Sequence, residues 1–196
     1  MSVLPHRAVF LDRDGTINVE KNYLYRIEDF EFIGGAIEAI RLLNENDFRV
    51  VVVSNQAGIA RGFYTPNDVH VLHDFIQREL RKHEAHVDAF FYCPHHPDGS
   101  IDEFRKVCDC RKPNTGMILQ ANEKLNLDLP SSYVVGDLWT DIKLGENAGL
   151  KTILVRTGHG EETLRDREKH QLKIDRIAEN VLDAVKMIIK FSNGKT

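Results

Sequence analysis

The stretch Phe10-Leu11-Asp12-Arg13-Asp14-Gly15-Thr16 sets two carboxylates one residue apart directly behind an apolar run. Like charges that close repel unless something cationic sits between them. Arg13 lies between them in sequence but projects from the alternate position, so it is not expected to be their counter-ion. A second acidic pair, Asp137 and Asp141, follows another apolar run. Clustered carboxylates without compensating arginines call for a hard divalent cation, and Mg²⁺ suits one or two carboxylates plus the oxygens of a phosphate. Ser54, behind the apolar run 50–53, can donate to a phosphoryl oxygen, and Lys112 can supply positive charge to a transferring phosphoryl group. A carboxylate is also a competent covalent nucleophile. Together these groups read as a metal-assisted phosphoryl-transfer site. Singly, each aspartate has a plainer use as a cap of a turn or of the following helix. Capping does not require acids at the ends of two different strands.

Three cysteines, Cys93, Cys108 and Cys110, fall within eighteen residues, an odd number that makes a poor disulfide framework. Cys93-Pro94-His95 and Cys108-Asp109-Cys110 form two ligand pairs twelve residues apart. Three thiolates and one imidazole suit tetrahedral Zn²⁺, and a closed four-ligand set is structural in character. On spacing alone the histidine is His95 or its neighbour His96. The segment 96–107 holds little apolar material with which to fold itself, so a metal is its expected organiser.

Short apolar runs alternate with helical patterns, which predicts strands at 8–11, 50–53, 87–92, 133–135, 152–155 and 174–178. Helices are expected at 35–46, from Thr65-Pro66 onward, and at 115–125, 141–147 and 180–191. Thr65 reads as an N-cap with proline at the first helical position, burying Val69, Leu72, Ile76 and Leu80. The charged tract 161–170 reads as a solvated loop or helix. This alternation implies an α/β, Rossmann-like parallel sheet with helices on both faces. Ligands of such sheets bind beyond the carboxyl ends of the strands, where Asp12, Ser54 and Asp137 all fall.

With 26 basic and 30 acidic residues the net charge is −4 and no basic tract stands out, which argues against a general nucleic-acid binder. The cysteine segment offers only Arg105 and Lys106 against Asp98, Asp102 and Glu103. No apolar run is long enough to span a bilayer and no signal peptide is evident, so a cytoplasmic protein with no membrane partner is expected. One domain over 1–196, acting as a monomer, suffices for this length.

The segments FLDRDGT (10–16), VVVSNQ (51–56), CRKP (110–113) and VGDLWTD (135–141) resemble, in order, the four motifs of the haloacid dehalogenase-like phosphatases. The resemblance covers residues 7–160. It implies Asp12 as the nucleophile, and Asp14 as the acid that protonates the leaving group and then activates water. Ser54 and Lys112 would hold the phosphoryl oxygens. Mg²⁺ would be bound by Asp12, the Asp14 backbone carbonyl and Asp137, with Asp141 acting through a water or orienting the loop. The same resemblance favours His95 over His96 as the zinc ligand.

About thirty-five residues separate the first two motifs, leaving room for only a minimal cap and an open site. Within the superfamily, LDRDGTIN, SNQAGIARG, YCPHHP and CDCRKP resemble the branch acting on small heptose bisphosphates. That resemblance implies a phosphorylated sugar substrate contacted by Glu20, Lys21, Asn22, Tyr23, Ser54, Asn55, Gln56, Ala57 and Lys112, with Arg111 on its second phosphate. Leu138 departs from the branch, many members of which carry a cation there. The histidinol-phosphate phosphatases share the four motifs and a similar zinc loop and are the nearest alternative. A phospho-acceptor signalling domain is the alternative of another class, but it has no need of Asp14 as a proton shuttle.

Overall fold

The computed structural model describes residues 4–192 and 194; the expected domain bounds reach past these at both ends. One six-stranded, wholly parallel sheet runs in the order β3-β2-β1-β4-β5-β6. Its strands are β1 (Ala8–Leu11), β2 (Arg49–Asn55), β3 (Ala89–Cys93), β4 (Tyr133–Gly136), β5 (Lys151–Val155) and β6 (Arg176–Ala178). The connecting helices are α1 (Ala36–Glu45), α2 (Ala57–Ala60), α3 (Pro66–Arg81), α4 (Gly116–Leu125), α5 (Trp139–Ala148), α6 (Gly160–Arg165) and α7 (Val181–Ser192).

Residue alternation along β1 builds the two halves of the core. Val9 and Leu11 face the side covered by α1, α3 and α7, where Ile40, Leu72, Ile76 and Ile188 are buried. Ala8 and Phe10 face α4 and α5, against Met117, Ile118 and Leu144. With both faces covered, a parallel strand must be apolar throughout, and all four residues of β1 are buried.

The expected elements form, with shifts that have local causes. Thr65 caps α3 reciprocally: its Oγ1 accepts from Asp68 N–H at 3.3 Å, and Asp68 Oδ2 accepts from Thr65 N–H at 2.7 Å. The buried face of α3 is the expected one plus His73, which stacks on Phe90. The third strand starts at Ala89, and Asp88 just before it is tied to β2, its N–H donating to Val50 C=O and its Oδ2 accepting from Val50 N–H, each at 2.8 Å. Of the charged tract 161–170 only 161–165 is helical, as part of α6. The short α2 was not legible as a helix. Between β1 and α1 the described chain carries isolated bridges, Asp14 to Asn18 and Asn18 to Phe32, and one 3-10 turn, in keeping with a minimal cap. No helix among the described residues is long and apolar enough to cross a membrane.

Candidate active site at the strand switch point

The chain leaves β1 for β2 and β3 on one side and returns to β4, β5 and β6 on the other, so the carboxyl end of β1 is the topological switch point. The ends of β1, β2 and β4 bring Asp12, Ser54 and Asp137 together there. Asp12 N–H continues the ladder by donating to Val135 C=O at 3.0 Å. Asp137 sits between two glycines. A Cβ on Gly15 would lie 2.3 Å from Asp137 Oδ2, and Gly15 holds φ +84°, so no other residue fits that turn without strain. His159 N–H donates to the same oxygen at 2.7 Å.

Lys112 arrives from the loop between β3 and α4. Its buried Nζ lies 2.7 Å from Asp12 Oδ1, 2.6 Å from Asp141 Oδ1 and 2.9 Å from Val53 C=O. Asn55 fixes the loop reciprocally, accepting from Lys112 N–H at 3.0 Å and donating to Lys112 C=O at 3.2 Å. Asp141 does two jobs: Oδ1 meets Lys112, and Oδ2 accepts from Leu138 N–H at the start of α5, at 3.0 Å. Capping and site chemistry therefore coexist in one residue.

Three buried carboxylates share one ammonium, and the imbalance registers in the proton affinities of Asp12 and Asp137. Asp12 is pushed up to about 7, by burial first; Lys112 opposes this while Asp141 and Asp14 add to it. Asp137 rises to about 9, again by burial and then by the Asp12 and Asp141 charges. Burial alone would lower Lys112, but the Asp12 and Asp141 carboxylates outweigh it and hold the ammonium charged.

Asp14 stands in a different setting, and here one expectation fails. Arg13 is its counter-ion: Nη2 lies 2.9 and 2.8 Å from Asp14 Oδ1 and Oδ2, and Nε lies 3.1 Å from Oδ1. The alternation argument assumed a strand, but β1 ends at Leu11 and the chain turns at once. Arg13 C=O accepts from the N–H groups of Thr16, Ile17 and Asn18. Arg13 is fully buried, with a further bond to Leu24 C=O at 2.9 Å.

Asp12, Asp14 and Lys112 line a cleft of about 210 Å³ together with Glu20, Asn22, Tyr23, Ser54, Asn55, Gln56 and Ala57, while Asp137 and Asp141 lie buried behind it. Two expected contact residues do not line it. Lys21 turns outward to Glu31 at 3.2 Å. Arg111 donates from Nη1 to His95 C=O at 3.2 Å, which holds it on the cysteine loop. Tyr64 and His159 line the cleft without having been expected. His159 was within reach of the strand-end rule, since Thr157-Gly158-His159 follows β5. Tyr64 carried no local signal. Glu20 is raised by burial and by Asp14.

Cys93, His95, Cys108 and Cys110 converge, with ligand atoms within 4.8 Å of one another. The closest sulfur pair, Cys93 and Cys110, is 3.1 Å apart, and His95 Nδ1 lies 3.3 Å from Cys110 Sγ. His96 is excluded by its own turn, its Nδ1 accepting from Asp98 N–H at 3.1 Å. Three soft thiolates with one imidazole fit a tetrahedral Zn²⁺. The second group, Asp12, Asp137 and Asp141, is all oxygen. Asp137 Oδ1 is buried with no hydrogen-bond partner among the described residues, and the site carries excess negative charge. A hard divalent cation fits both facts.

Comparison with known proteins agrees with this geometry. The HAD-hydrolase-like family model matches residues 109–184. D-glycero-beta-D-manno-heptose-1,7-bisphosphate 7-phosphatase of Escherichia coli K12 is 49% identical over 153 residues, 77% of this chain and 80% of that protein. D-glycero-alpha-D-manno-heptose-1,7-bisphosphate 7-phosphatase of Photorhabdus laumondii is 44% identical over 154 residues, 78% of this chain and 84% of that protein. The D,D-heptose 1,7-bisphosphate phosphatase of B. bronchiseptica, solved with magnesium and phosphate, superposes with a TM-score of 0.82 at 30% identity, covering 94% of this chain and 99% of that one. The chain therefore belongs to the HAD-like hydrolases, in the family of D-glycero-D-manno-heptose-1,7-bisphosphate 7-phosphatases.

Proposed function

We propose that this protein removes the 7-phosphate of D-glycero-D-manno-heptose 1,7-bisphosphate through a phosphorylated Asp12, in the making of heptose precursors for bacterial surface polysaccharide. The observation that carries the reading is the junction of Asp12, Asp137, Asp141 and Lys112 at one strand switch point, with Asp14 held separately. Asp12 attacks phosphorus, the bond to the sugar oxygen breaks, and Asp14 delivers a proton to the departing alkoxide. Water then attacks the acyl phosphate, with Asp14 taking its proton, and inorganic phosphate leaves. Ser54 and Lys112 hold the phosphoryl oxygens. Asp12, Asp137 and the Asp14 backbone carbonyl would bind Mg²⁺, which when present neutralises charge between a phosphate dianion and a carboxylate. Asp141 holds Lys112 and the start of α5, supporting the site from behind.

Asp14 is held by Arg13 and Asp12 by Lys112, so the two carboxylates have separate partners. Zn²⁺ on Cys93, His95, Cys108 and Cys110 would fix the loop that presents Lys112. Glu20, Asn22, Tyr23, Asn55, Gln56 and Ala57 form the wall facing the sugar. The chain is taken to act as a monomeric, cytoplasmic, single-domain enzyme over 1–196.

The test is phosphate release, with Mg²⁺, from heptose 1,7-bisphosphate and histidinol phosphate side by side. A higher kcat/KM for the heptose, lost in Asp12→Asn, is expected. Preference for histidinol phosphate would replace the substrate, and full activity of Asp12→Asn would remove the mechanism. Stable phosphorylation of Asp12 without phosphate release would favour a phospho-acceptor domain instead.

A further inference from the structure

Gln56 faces the cleft, but its amide is already committed. Nε2 lies 3.0 Å from Asp14 Oδ2 and 2.7 Å from Ser54 Oγ, while Oε1 lies 2.6 Å from the Tyr64 hydroxyl. The amide nitrogen, with two hydrogens to donate, faces Asp14 Oδ2 and Ser54 Oγ, and the amide oxygen faces the Tyr64 hydroxyl. The Tyr64 hydroxyl must therefore donate. Because Ser54 Oγ accepts from Gln56, its own hydrogen is free to point at a phosphoryl oxygen. One amide thus sets the direction of two groups in the reaction.

Tyr64 is anchored well enough to hold that amide. Its ring is buried, stacks on Tyr25 at 5.2 Å between centroids, and passes so close to α2 that a Cβ on Gly58 would lie 2.2 Å from it. Burial raises the proton affinity of the phenol further, keeping it a donor. Asp14 Oδ1 also accepts from Asn18 Nδ2 at 3.0 Å, and the Arg13 fork spans both oxygens. Without Gln56, Oδ2 would keep only Nη2 of Arg13.

We propose that Tyr64 and Gln56 are positioning residues: Tyr64 locks the Gln56 amide so that it aims the Asp14 carboxyl and the Ser54 hydroxyl at the substrate. The proposal rests on Asp14 being the acid for the leaving group. It has a signature that loss of fold lacks. An alkoxide needs its proton in the transition state, whereas p-nitrophenolate leaves without one, so misaiming Asp14 penalises the sugar substrate selectively.

The experiment compares kcat/KM for heptose 1,7-bisphosphate and p-nitrophenyl phosphate in wild type, Tyr64→Phe, Gln56→Leu and Asp14→Asn. In Tyr64→Phe and Gln56→Leu the loss on the heptose should exceed that on the aryl phosphate by about five-fold or more, and Asp14→Asn should show the same split more strongly. Equal losses on both substrates, or none, with the Asp14→Asn split intact, would overturn the positioning role alone. An Asp14→Asn protein with no split would overturn the assignment of Asp14 beneath it. Tyr64→Phe removes a single oxygen, so it decides the matter even if Gln56→Leu does not fold.

Discussion

The excess of buried carboxylates has a thermodynamic consequence that can be measured without substrate. Asp12 and Asp137 have folded-state pKa values of about 7 and about 9, far above the ordinary 3.8. An acid whose pKa is raised by folding binds its proton more tightly when folded. Its contribution is greatest below the unfolded value and is lost as pH rises through the folded one. Mg²⁺-free protein should therefore lose stability between about pH 6.5 and 9, a window that opens at the ordinary midpoint of histidine and runs above it. His73, lowered to about 3 by burial, acts only below that window. Each group still protonated contributes a slope of about 1.4 kcal/mol per pH unit. Asp12 acts over roughly the first half-unit and Asp137 over the whole span, for a total of about 4 kcal/mol. At about 2–4 °C per kcal/mol for a chain this size, Tm should fall by roughly 8–16 °C. The assay is thermal unfolding of zinc-loaded protein freed of Mg²⁺ by dialysis without chelator, repeated with saturating Mg²⁺. Added Mg²⁺ should flatten the slope, because the cation takes the place of the protons. A Tm independent of pH without Mg²⁺, or an equal slope with and without it, would refute the reasoning.

Arg13→Met should cost about 3 kcal/mol in urea unfolding, since it leaves Asp14 beside a buried apolar side chain; a change below about 1 kcal/mol would contradict the ion pair's structural weight. Zinc should be present at near-equimolar ratio in protein purified without chelator. Cys108→Ser should abolish that stoichiometry and loosen the loop carrying Lys112, lowering kcat by about ten-fold or more; unchanged activity in a zinc-free variant would separate the metal from the site.

Much of the site was legible because strand ends and ligand spacings are local signals. Asp12, Ser54 and Asp137 each follow an apolar run, and in a parallel sheet that position alone sends them to one edge. The three-cysteine cluster was legible from residue type, with His95 or His96 left open beside it, and the start of α3 from Thr65-Pro66-Asn67-Asp68. Other features depend on where the backbone turns. Arg13 was misread because strand alternation was extended past Leu11, where the chain already folds back at Gly15. Lys21 and Arg111 left the cleft because each found a nearer partner, Glu31 and the His95 carbonyl.

By itself, then, the sequence determined which chemical groups are present, their order, and the strand ends that carry them, since these follow from residue type and short-range periodicity. Tertiary structure alone decided the partners. Lys112 meets Asp12 across one hundred positions, Gln56 meets Asp14 across forty-two, and Thr157 meets the Gly15 carbonyl across one hundred and forty-two. Such pairings are set by burial, because a polar group removed from water must take whichever partner the packed chain brings within reach.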